Sequence, residues 1–179
     1  EMIAHLYNCT CVAMWVPFNE AWGQFDANRI AELTKQLDPT RTVDHASGWH
    51  DQGGGDIHSL HVYFKPVKLP RDKHGRVTCL TEFGGYSLPI DGHMFNLDHI
   101  YSYRKFDDTE TFNQGIAELF TRDVIDLIPQ GLSASVFTQL SDVEDEINGL
   151  VTYDRKVLKV DEALMQGLNK QIRITKEWL

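Results

Sequence analysis

The sequence is poor in cysteine and in basic residues, and it lacks a long apolar run. Its three cysteines, Cys9, Cys11 and Cys79, cannot all pair, and each lies in or beside an apolar stretch. This predicts buried thiols rather than a disulfide framework. Lys and Arg number 17 against 26 Asp and Glu, a net charge of −9, which disfavours nucleic acid or an anionic membrane as a partner. The same charge favours a neutral substrate. Nowhere do about 18 apolar residues stand together, so no membrane-spanning helix is expected.

The remaining composition, with 42% hydrophobic and 24% charged residues, is that of a globular protein. At 179 residues the chain is too short for a complete eightfold β/α barrel, which takes about 250 residues. It begins without Met, and no basic flank followed by a long apolar run is visible, so we expect a piece of a longer protein. Its location stays unknown from the sequence, with the periplasm of a bacterium or secretion from it favoured over the cytoplasm.

Short apolar runs alternate with amphipathic helical patterns. Strands are predicted over residues 11–16, 42–47, 57–64, 77–81 and 133–138. Helices are predicted over residues 26–37, with Ile30, Leu33 and Leu37 as the apolar face, over residues 112–127, and from residue 160 onward. The alternation predicts an α/β fold with a parallel sheet, built as a single domain of residues 1–179.

Polar side chains stand at the predicted carboxyl ends of several strands, where functional groups of parallel α/β folds gather. These residues are Asn19, Glu20, Tyr63, Glu82 and Gln139. Two carboxyl groups from different strands, Glu20 and Glu82, suit glycoside hydrolysis, in which one carboxyl donates a proton and the other acts as nucleophile or base. Each glutamate taken alone also fits a solvated loop residue.

Three segments carry a family resemblance. The sequence WVPFNEAWG at 15–23 resembles the acid/base strand of glycoside hydrolase family two, and TEFGG at 81–85 resembles its nucleophile strand. Residues 137–155 resemble the last strand and exit of many bacterial members. The resemblance covers nearly the whole chain and implies a partial (β/α)8 TIM barrel, roughly strands four to eight. One departure is Asn8-Cys9-Thr10-Cys11, where members often carry an Asn-His-Pro-Ser type of lead-in.

The resemblance also implies a retaining β-glycosidase of the β-galactosidase, β-glucuronidase or β-mannosidase kind. No cofactor is expected, and no metal, because the spacing of the histidines matches no compact zinc motif. Glu82 would be the nucleophile and Glu20 the acid/base, with their carboxyl groups about 5 to 5.5 Å apart. Asn19 would bond the sugar 2-hydroxyl, and Tyr63 would donate a hydrogen bond to Glu82. A capping Asn and a half-buried strand Tyr remain the alternatives for these two residues.

Further substrate contacts are expected from His61, Trp22, Trp49 and Gln139. His61 shares a strand face with Tyr63 and could touch a sugar hydroxyl, although a barrel-lining His with satisfied hydrogen bonds fits as well. The two tryptophans could form platforms for a pyranose, although ordinary packing is the simpler alternative.

Two other function classes stay open. A carbohydrate-binding or structural module would keep the fold without turnover. A metal-dependent hydrolase could use His45, His58 and His61, but His58 and His61 point to opposite strand faces. A barrel that lacks its first strands has two open edges, so we expect self-association, together with amino-terminal domains of the parent chain as missing partners.

Overall fold

The computed structural model describes residues 1–177 as a mixed α/β structure with parallel strand pairs, as predicted. Its elements are α1 (Met2–Leu6), β1 (Met14–Trp15), α2 (Ala27–Leu37), β2 (Thr42–Val43), β3 (Ile57–Val62), β4 (Val77–Gly84), β5 (Tyr86–Ser87), β6 (Arg104–Lys105), α3 (Thr109–Asp123), a 3₁₀ helix (Ile125–Gln130), β7 (Leu132–Thr138) and α4 (Glu162–Glu177). Hydrogen bonds join β1 to β2, β5 to β6, and β3, β4 and β7 in that order. None of the helices described is long and apolar enough to cross a membrane.

The chain divides into two compact units. The first unit comprises Glu1–His61 and Pro70–Thr81, and the second comprises Val62–Leu69 and the residues from Glu82 onward. Each unit therefore contains part of β3 and part of β4. That residues 1–179 form a single domain stays a prediction.

In the first unit, the core forms between α2 and the parallel pair of β1 and β2. Trp15, Ala31 and Val43 are buried together, with apolar residues from the first turns packed against them. Leu33 and Leu37, predicted to face the core, are 44% and 56% exposed. The expected apolar face of α2 is therefore wrong, because the helix buries a row of smaller residues, namely Ala27, Ala31 and Thr34.

An ion pair of Asp38 and Arg41 connects the end of α2 to β1 and to the segment before β2. The Asp38 carboxylate accepts hydrogen bonds from Trp15 Nε1 at 2.9 Å and from Arg41 Nη1 at 2.6 Å. Arg41 also donates to the carbonyl oxygens of Tyr7, Cys9 and Val12. Asp38 follows the last residue of α2, where the helix was predicted to end. Its carboxylate links Trp15 of β1 to Arg41, which immediately precedes β2.

In the second unit, phenylalanine rings form the core against α3. Phe83 in β4 meets Phe120 of α3 and Phe137 of β7 with ring centroids 5.4 and 5.6 Å apart. The predicted helix over 112–127 is divided, because α3 ends at Asp123 and a 3₁₀ helix follows to Gln130. Gly131, at φ 107°, then ends this segment in the left-handed conformation that glycine adopts without strain.

The segment after β7 is held by a buried ion pair. Lys159 Nζ lies 2.6 Å from Asp142 Oδ1 and donates to the carbonyl of Ile147 at 3.0 Å, and both charged side chains are at most 1% exposed. Asp142 Oδ1 also accepts from the Gly149 amide at 2.8 Å. Burial raises the pKa of Asp142 and lowers that of Lys159, and their mutual hydrogen bond opposes both effects.

The cysteines are free, and their burial differs. Cys79 is buried in β4 and Cys9 is partly buried, whereas Cys11 is exposed. The expectation of a buried Cys11 is wrong because β1 begins only at Met14, so Cys11 precedes the strand in a turn.

Candidate functional site

Glu20 in the first unit follows β1 at a point where the parallel pairing resumes. Asn19 forms a parallel bridge with Ser47, and the Glu20 amide donates to the Ser47 carbonyl at 2.9 Å. Glu20 and the next residue, Ala21, have φ values of 48° and 67°. Such left-handed conformations cost about 1 to 3 kcal/mol for residues other than glycine, and they cluster at functional sites.

His61 at the end of β3 lies against the Glu20 carboxylate. His61 Nδ1 is 2.7 Å from Glu20 Oε1, and its Nε2 is 3.0 Å from Ser47 Oγ. The His61 side chain is only 1% exposed, whereas that of Glu20 is 20% exposed. The imidazole therefore contacts the carboxylate from the protein side, and a contact of His61 with a sugar stays a prediction.

Gly48 makes room for this imidazole. A Cβ atom at residue 48 would lie 2.4 Å from the His61 ring, and the φ of 82° at Gly48 is one that other residues adopt only with strain. Beyond His61, the hydroxyls of Ser47, Ser59 and Thr81 form a buried cluster of hydrogen bonds. Burial raises the pKa of the neighbouring Asp44, and the nearby hydroxyls of Ser59 and Ser47 oppose the rise.

The other predicted residues of the first unit lie on its surface. Trp22 is 79% exposed and Trp49 is 50% exposed, and Asn19 is exposed as well. The Trp22 amide donates to the Asn19 carbonyl at 2.9 Å, which closes the turn containing Glu20. Both tryptophans are therefore exposed to solvent, and their role as sugar platforms stays a prediction.

Glu82 in the second unit lies inside β4. The expectation that it follows the strand is wrong, because β4 continues past the predicted end at residue 81 to Gly84. Tyr63 Oη donates a hydrogen bond to Glu82 Oε2, and it is 3.1 Å from Thr138 Oγ1 at the end of β7. Burial and the hydrogen bond to Glu82 raise the pKa of Tyr63, so the phenol stays protonated and remains a donor at neutral pH. Tyr63 follows β3 rather than belonging to it, because the strand ends at Val62.

Tyr103 stacks on Tyr63 in the second unit. Their rings are 4.0 Å apart and inclined by 5°. Gly85 allows this arrangement, because a Cβ atom there would lie 2.3 Å from the Tyr103 ring. Gln139 contacts two other residues of the second unit. Its Nε2 donates to Asn148 Oδ1 at 2.5 Å and lies 3.4 Å from Glu146 Oε2, and the role of Gln139 in substrate binding stays a prediction.

A second polar cluster of the first unit has the residue types of a metal site. Asp51, His58 and Asp72 offer ligand atoms within 4.8 Å of one another. Arg76, however, donates to Asp51 Oδ2 at 2.6 Å and to Asp72 Oδ1 at 2.7 Å, so both carboxylates already pair with one cation of the chain. Hydrogen bonds from Arg76 lower the pKa of Asp51 to about 2. His58 and His61 thus engage different partners, as their opposite strand faces predicted.

Sequence reasoning did not identify Ser47, Thr138 or Tyr103 as neighbours of the two glutamates. Ser47 and Thr138 are the last residues of two predicted strands, so the expectation that functional groups gather at strand ends could have identified them. Tyr103 lies in a segment without periodicity between β5 and β6, and nothing in the sequence indicated its contact with Tyr63.

Comparison with known proteins gives a fold relationship. No family model matches the chain, and no curated protein matches its sequence. Among solved structures, the chain is similar to a β-glucuronidase from Faecalibacterium prausnitzii, with a TM-score of 0.58 and 18% sequence identity over 98% of this chain. The chain spans 33% of the length of that protein. At this identity the similarity concerns the fold alone.

Proposed function

We propose that the chain carries the carboxyl-terminal catalytic part of a retaining β-glycosidase, with Glu82 as nucleophile and Glu20 as acid/base. In this proposal the elements correspond to strands four to eight of a (β/α)8 TIM barrel of the family-two type. The observation that carries it is the hydrogen bond from Tyr63 Oη to Glu82 Oε2. A phenol that donates to a carboxylate stabilises its ionised form and orients it, which is what a carboxylate nucleophile requires.

In the first step, a Glu82 oxygen forms a bond to the anomeric carbon while the bond from that carbon to the leaving oxygen breaks. Glu20 transfers its proton to the leaving oxygen, which departs as an alcohol. The sugar remains as an ester of Glu82. His61 holds Glu20 through Oε1 in this scheme, so Oε2 is the oxygen that we assign to the proton transfer.

In the second step, Glu20 acts as a base. It takes a proton from water while the water oxygen forms a bond to the anomeric carbon and the ester bond to Glu82 breaks. The sugar leaves with its original β configuration, and both carboxyl groups return to their starting protonation states. The mechanism requires about 5 to 5.5 Å between the two carboxyl groups.

The proposed substrates are glycosides with a terminal β-linked sugar. The name of the similar solved structure, β-glucuronidase, makes a β-glucuronide one candidate, next to β-galactosides and β-mannosides. Asn19, Trp22, Trp49, Tyr63 and Gln139 are the proposed substrate contacts, and His61, expected from the sequence as a further contact, acts in this proposal by positioning Glu20. We also propose that preceding domains of a longer chain supply barrel strands one to three, so the 179-residue chain alone has weak activity or none.

The test is hydrolysis of chromogenic β-galactoside, β-glucuronide and β-mannoside substrates by the full-length protein that contains these residues. We expect one substrate to be cleaved with retention, which proton NMR of the first-formed sugar reveals. Glu82→Gln should lower the rate by a factor on the order of 10⁴ or more, as expected for a lost nucleophile.

Glu20→Ala serves as the second variant, because its defect depends on the leaving group. When the leaving group is a strongly acidic phenol, it departs without a proton donor, so only the second step should be slow in this variant. Azide needs no general base, so it should restore turnover by attacking the glycosyl-enzyme and forming a β-glycosyl azide. Equal activity of Glu82→Gln and the wild-type protein would contradict the proposal. The absence of any hydrolysis together with sugar binding would favour the non-catalytic carbohydrate-binding alternative.

A further inference from the structure

The second unit contains a cavity of about 240 Å³ whose charge differs from that of the whole chain. Its walls are formed by the segment after β3, by β5 and β6, and by the end of α3. The lining residues are Tyr63, Phe64, Lys65, Pro66, Tyr86, Tyr103, Arg104 and Arg122.

Three of these lining residues are cations and none is an acid. The chain as a whole has 17 Lys and Arg against 26 Asp and Glu. Lys65, Arg104 and Arg122 nevertheless line the same small cavity. Arg122 also forms an ion pair with Asp123, which is not itself a lining residue. With the carboxylates of Asp123 and of Glu82, which accepts from Tyr63, counted against these three cations, a net positive charge of about one remains, and it attracts anions to the cavity.

Both guanidinium groups make contacts that restrict their orientations. Arg122 Nε donates to Asp123 Oδ1 at 2.9 Å, and the 2% exposed Asp123 side chain also accepts from the Val67 amide at 3.0 Å. Arg104 lies over the rings of Tyr86 and Phe106, at 5.1 and 4.7 Å from their centroids. A guanidinium that is already ordered loses less entropy when it binds an oxyanion, and its donors match two oxygens at once.

The aromatic side chains give the cavity a second property. Tyr63 and Tyr103 stack on each other, and Phe64 adjoins Tyr103 with ring centroids 5.3 Å apart. The two stacked tyrosines cover each other's facing sides, so the 81% exposed Phe64 is the ring that suits the apolar side of a ring-shaped ligand. The volume is below the range of about 300 to 1,000 Å³ that drug-sized ligands occupy, so the ligand is small.

We propose that this cavity is a binding site for an oxyanion, a carboxylate, sulfate or phosphate group, carried on a single small ring. Arg104 and Lys65 bind the oxyanion, and Phe64 contacts the ring. Two sources share this chemistry, namely an acidic sugar and a free inorganic oxyanion. Because Tyr63 both lines the cavity and donates to Glu82, a bound acidic sugar lies within one side chain of Glu82.

The test is isothermal titration calorimetry of the 179-residue chain at low ionic strength with three probes: sodium glucuronate, sodium sulfate and glucose. Glucose is the neutral counterpart of glucuronate, so the pair isolates the contribution of the carboxylate. We expect glucuronate to bind at least tenfold more tightly than glucose. Tighter binding of glucuronate than of sulfate identifies an acidic ring as the ligand, and the reverse order identifies a free oxyanion.

Variants locate the binding. Arg104→Gln should weaken the binding of the favoured anion at least tenfold, and Lys65→Gln should weaken it severalfold. Lys170→Gln removes the same charge from an exposed position of α4 and should leave the affinity unchanged. If circular dichroism shows that Arg104→Gln is unfolded, Arg104→Lys replaces it, because it keeps the charge and loses the two-pronged donor.

The proposal fails if no anion binds saturably, if glucose binds as tightly as glucuronate, or if Lys65→Gln and the Arg104 variant both bind like the wild-type chain. This measurement involves binding alone and does not rest on glycoside hydrolysis. Its failure would leave the proposed function untouched, and a failure of the proposed function would leave this site standing.

Discussion

The residues around Glu20 divide into a buried partner and exposed surface groups, and the two kinds should affect different kinetic constants. His61 contacts Glu20 Oε1 at 2.7 Å with a side chain that is 1% exposed, whereas Trp22 is 79% exposed. We therefore expect His61 to act through Glu20 as a positioning residue, and Trp22 to act on substrate binding.

The corresponding prediction concerns kcat and KM of the active full-length protein. His61→Ala should lower kcat on the order of 10²-fold with little change in KM, because misorienting an acid/base group affects the chemical step. Trp22→Ala should raise KM severalfold and leave kcat unchanged, because a lost aromatic contact of about 1 kcal/mol weakens binding. A His61→Ala variant that changes only KM would instead identify His61 as a sugar contact.

A second prediction at this scale concerns acid stability of the Asp51 and Arg76 pair. Hydrogen bonds from Arg76 lower the pKa of Asp51 from 3.8 to about 2, and the pKa of Asp72 is lowered by the same arginine. A carboxyl group whose pKa is lowered in the folded state stabilises that state above its unfolded pKa. This stabilisation should therefore disappear as the pH falls from about 4 towards 2.

Urea unfolding at several pH values measures the effect. The free energy of unfolding should fall more steeply below about pH 4 for the wild-type chain than for Asp51→Asn. Glu32→Gln is the matched control, because it removes a carboxylate from an exposed position of α2 in the same unit. Parallel curves for the wild-type chain and Asp51→Asn would show that the pair does not contribute.

At the scale of elements, the strands with regular patterns were the easiest to predict. β7 matches its predicted range within one residue, because an apolar run bounded by Gly131 and a polar residue admits few alternatives. The predicted strand of 42–47 shrinks to Thr42–Val43, although Ser47 resumes the pairing with Asn19. The polar Ser47 belongs to the buried hydroxyl cluster, and strand periodicity does not reveal such a tertiary feature.

Helix faces were harder to predict from apolar spacing. In α2 the leucines are exposed and the small residues are buried, because the choice of face depends on what packs against it. The site shows the same limit. The pairing of His61 with Glu20 spans 41 residues of sequence, and the stack of Tyr63 on Tyr103 spans a segment without periodicity. Such contacts depend on the fold and cannot be derived from local patterns.

The Lys159 and Asp142 pair leads to a prediction about the segment after β7. Lys159→Met leaves a buried carboxylate without its cation, so it should destabilise the chain by about 3 to 5 kcal/mol. Adding Asp142→Asn removes the uncompensated charge and keeps an acceptor for the Gly149 amide, so the double variant should recover part of the loss.

Urea unfolding of the single and double variants decides this prediction. Lys170→Met makes the same substitution at an exposed position of α4 and should change the free energy of unfolding by less than about 0.5 kcal/mol. A double variant that is less stable than Lys159→Met would show that the unpaired Asp142 carboxylate is not the source of the loss.

At the scale of the whole molecule, the exposed strand edges and apolar side chains predict self-association. β7 is an outer strand of its three-stranded sheet, and Val136 within it is 53% exposed. Leu140 and Val143, which follow the strand, are 76% and 51% exposed. An open edge with apolar side chains favours pairing between copies of a chain.

Sedimentation velocity over micromolar to millimolar concentrations should therefore show dimers or larger species of the 179-residue chain. Val136→Lys places a charge on the β7 edge and should shift the population towards monomer. Leu97→Lys adds the same charge at a side chain that is 71% exposed elsewhere in the second unit, and it should have little effect. A monomer at every concentration would contradict the prediction.

The central claim is that Glu82 is the nucleophile of a retaining glycosidase, and covalent trapping tests it most directly. The full-length protein is incubated with an activated 2-deoxy-2-fluoro glycoside of the sugar that it cleaves, and its peptides are then analysed by mass spectrometry. The account predicts one added fluorosugar on the peptide that contains Glu82, and none in the Glu82→Gln variant. A sugar attached to another residue, or hydrolysis without any covalent intermediate, would contradict it.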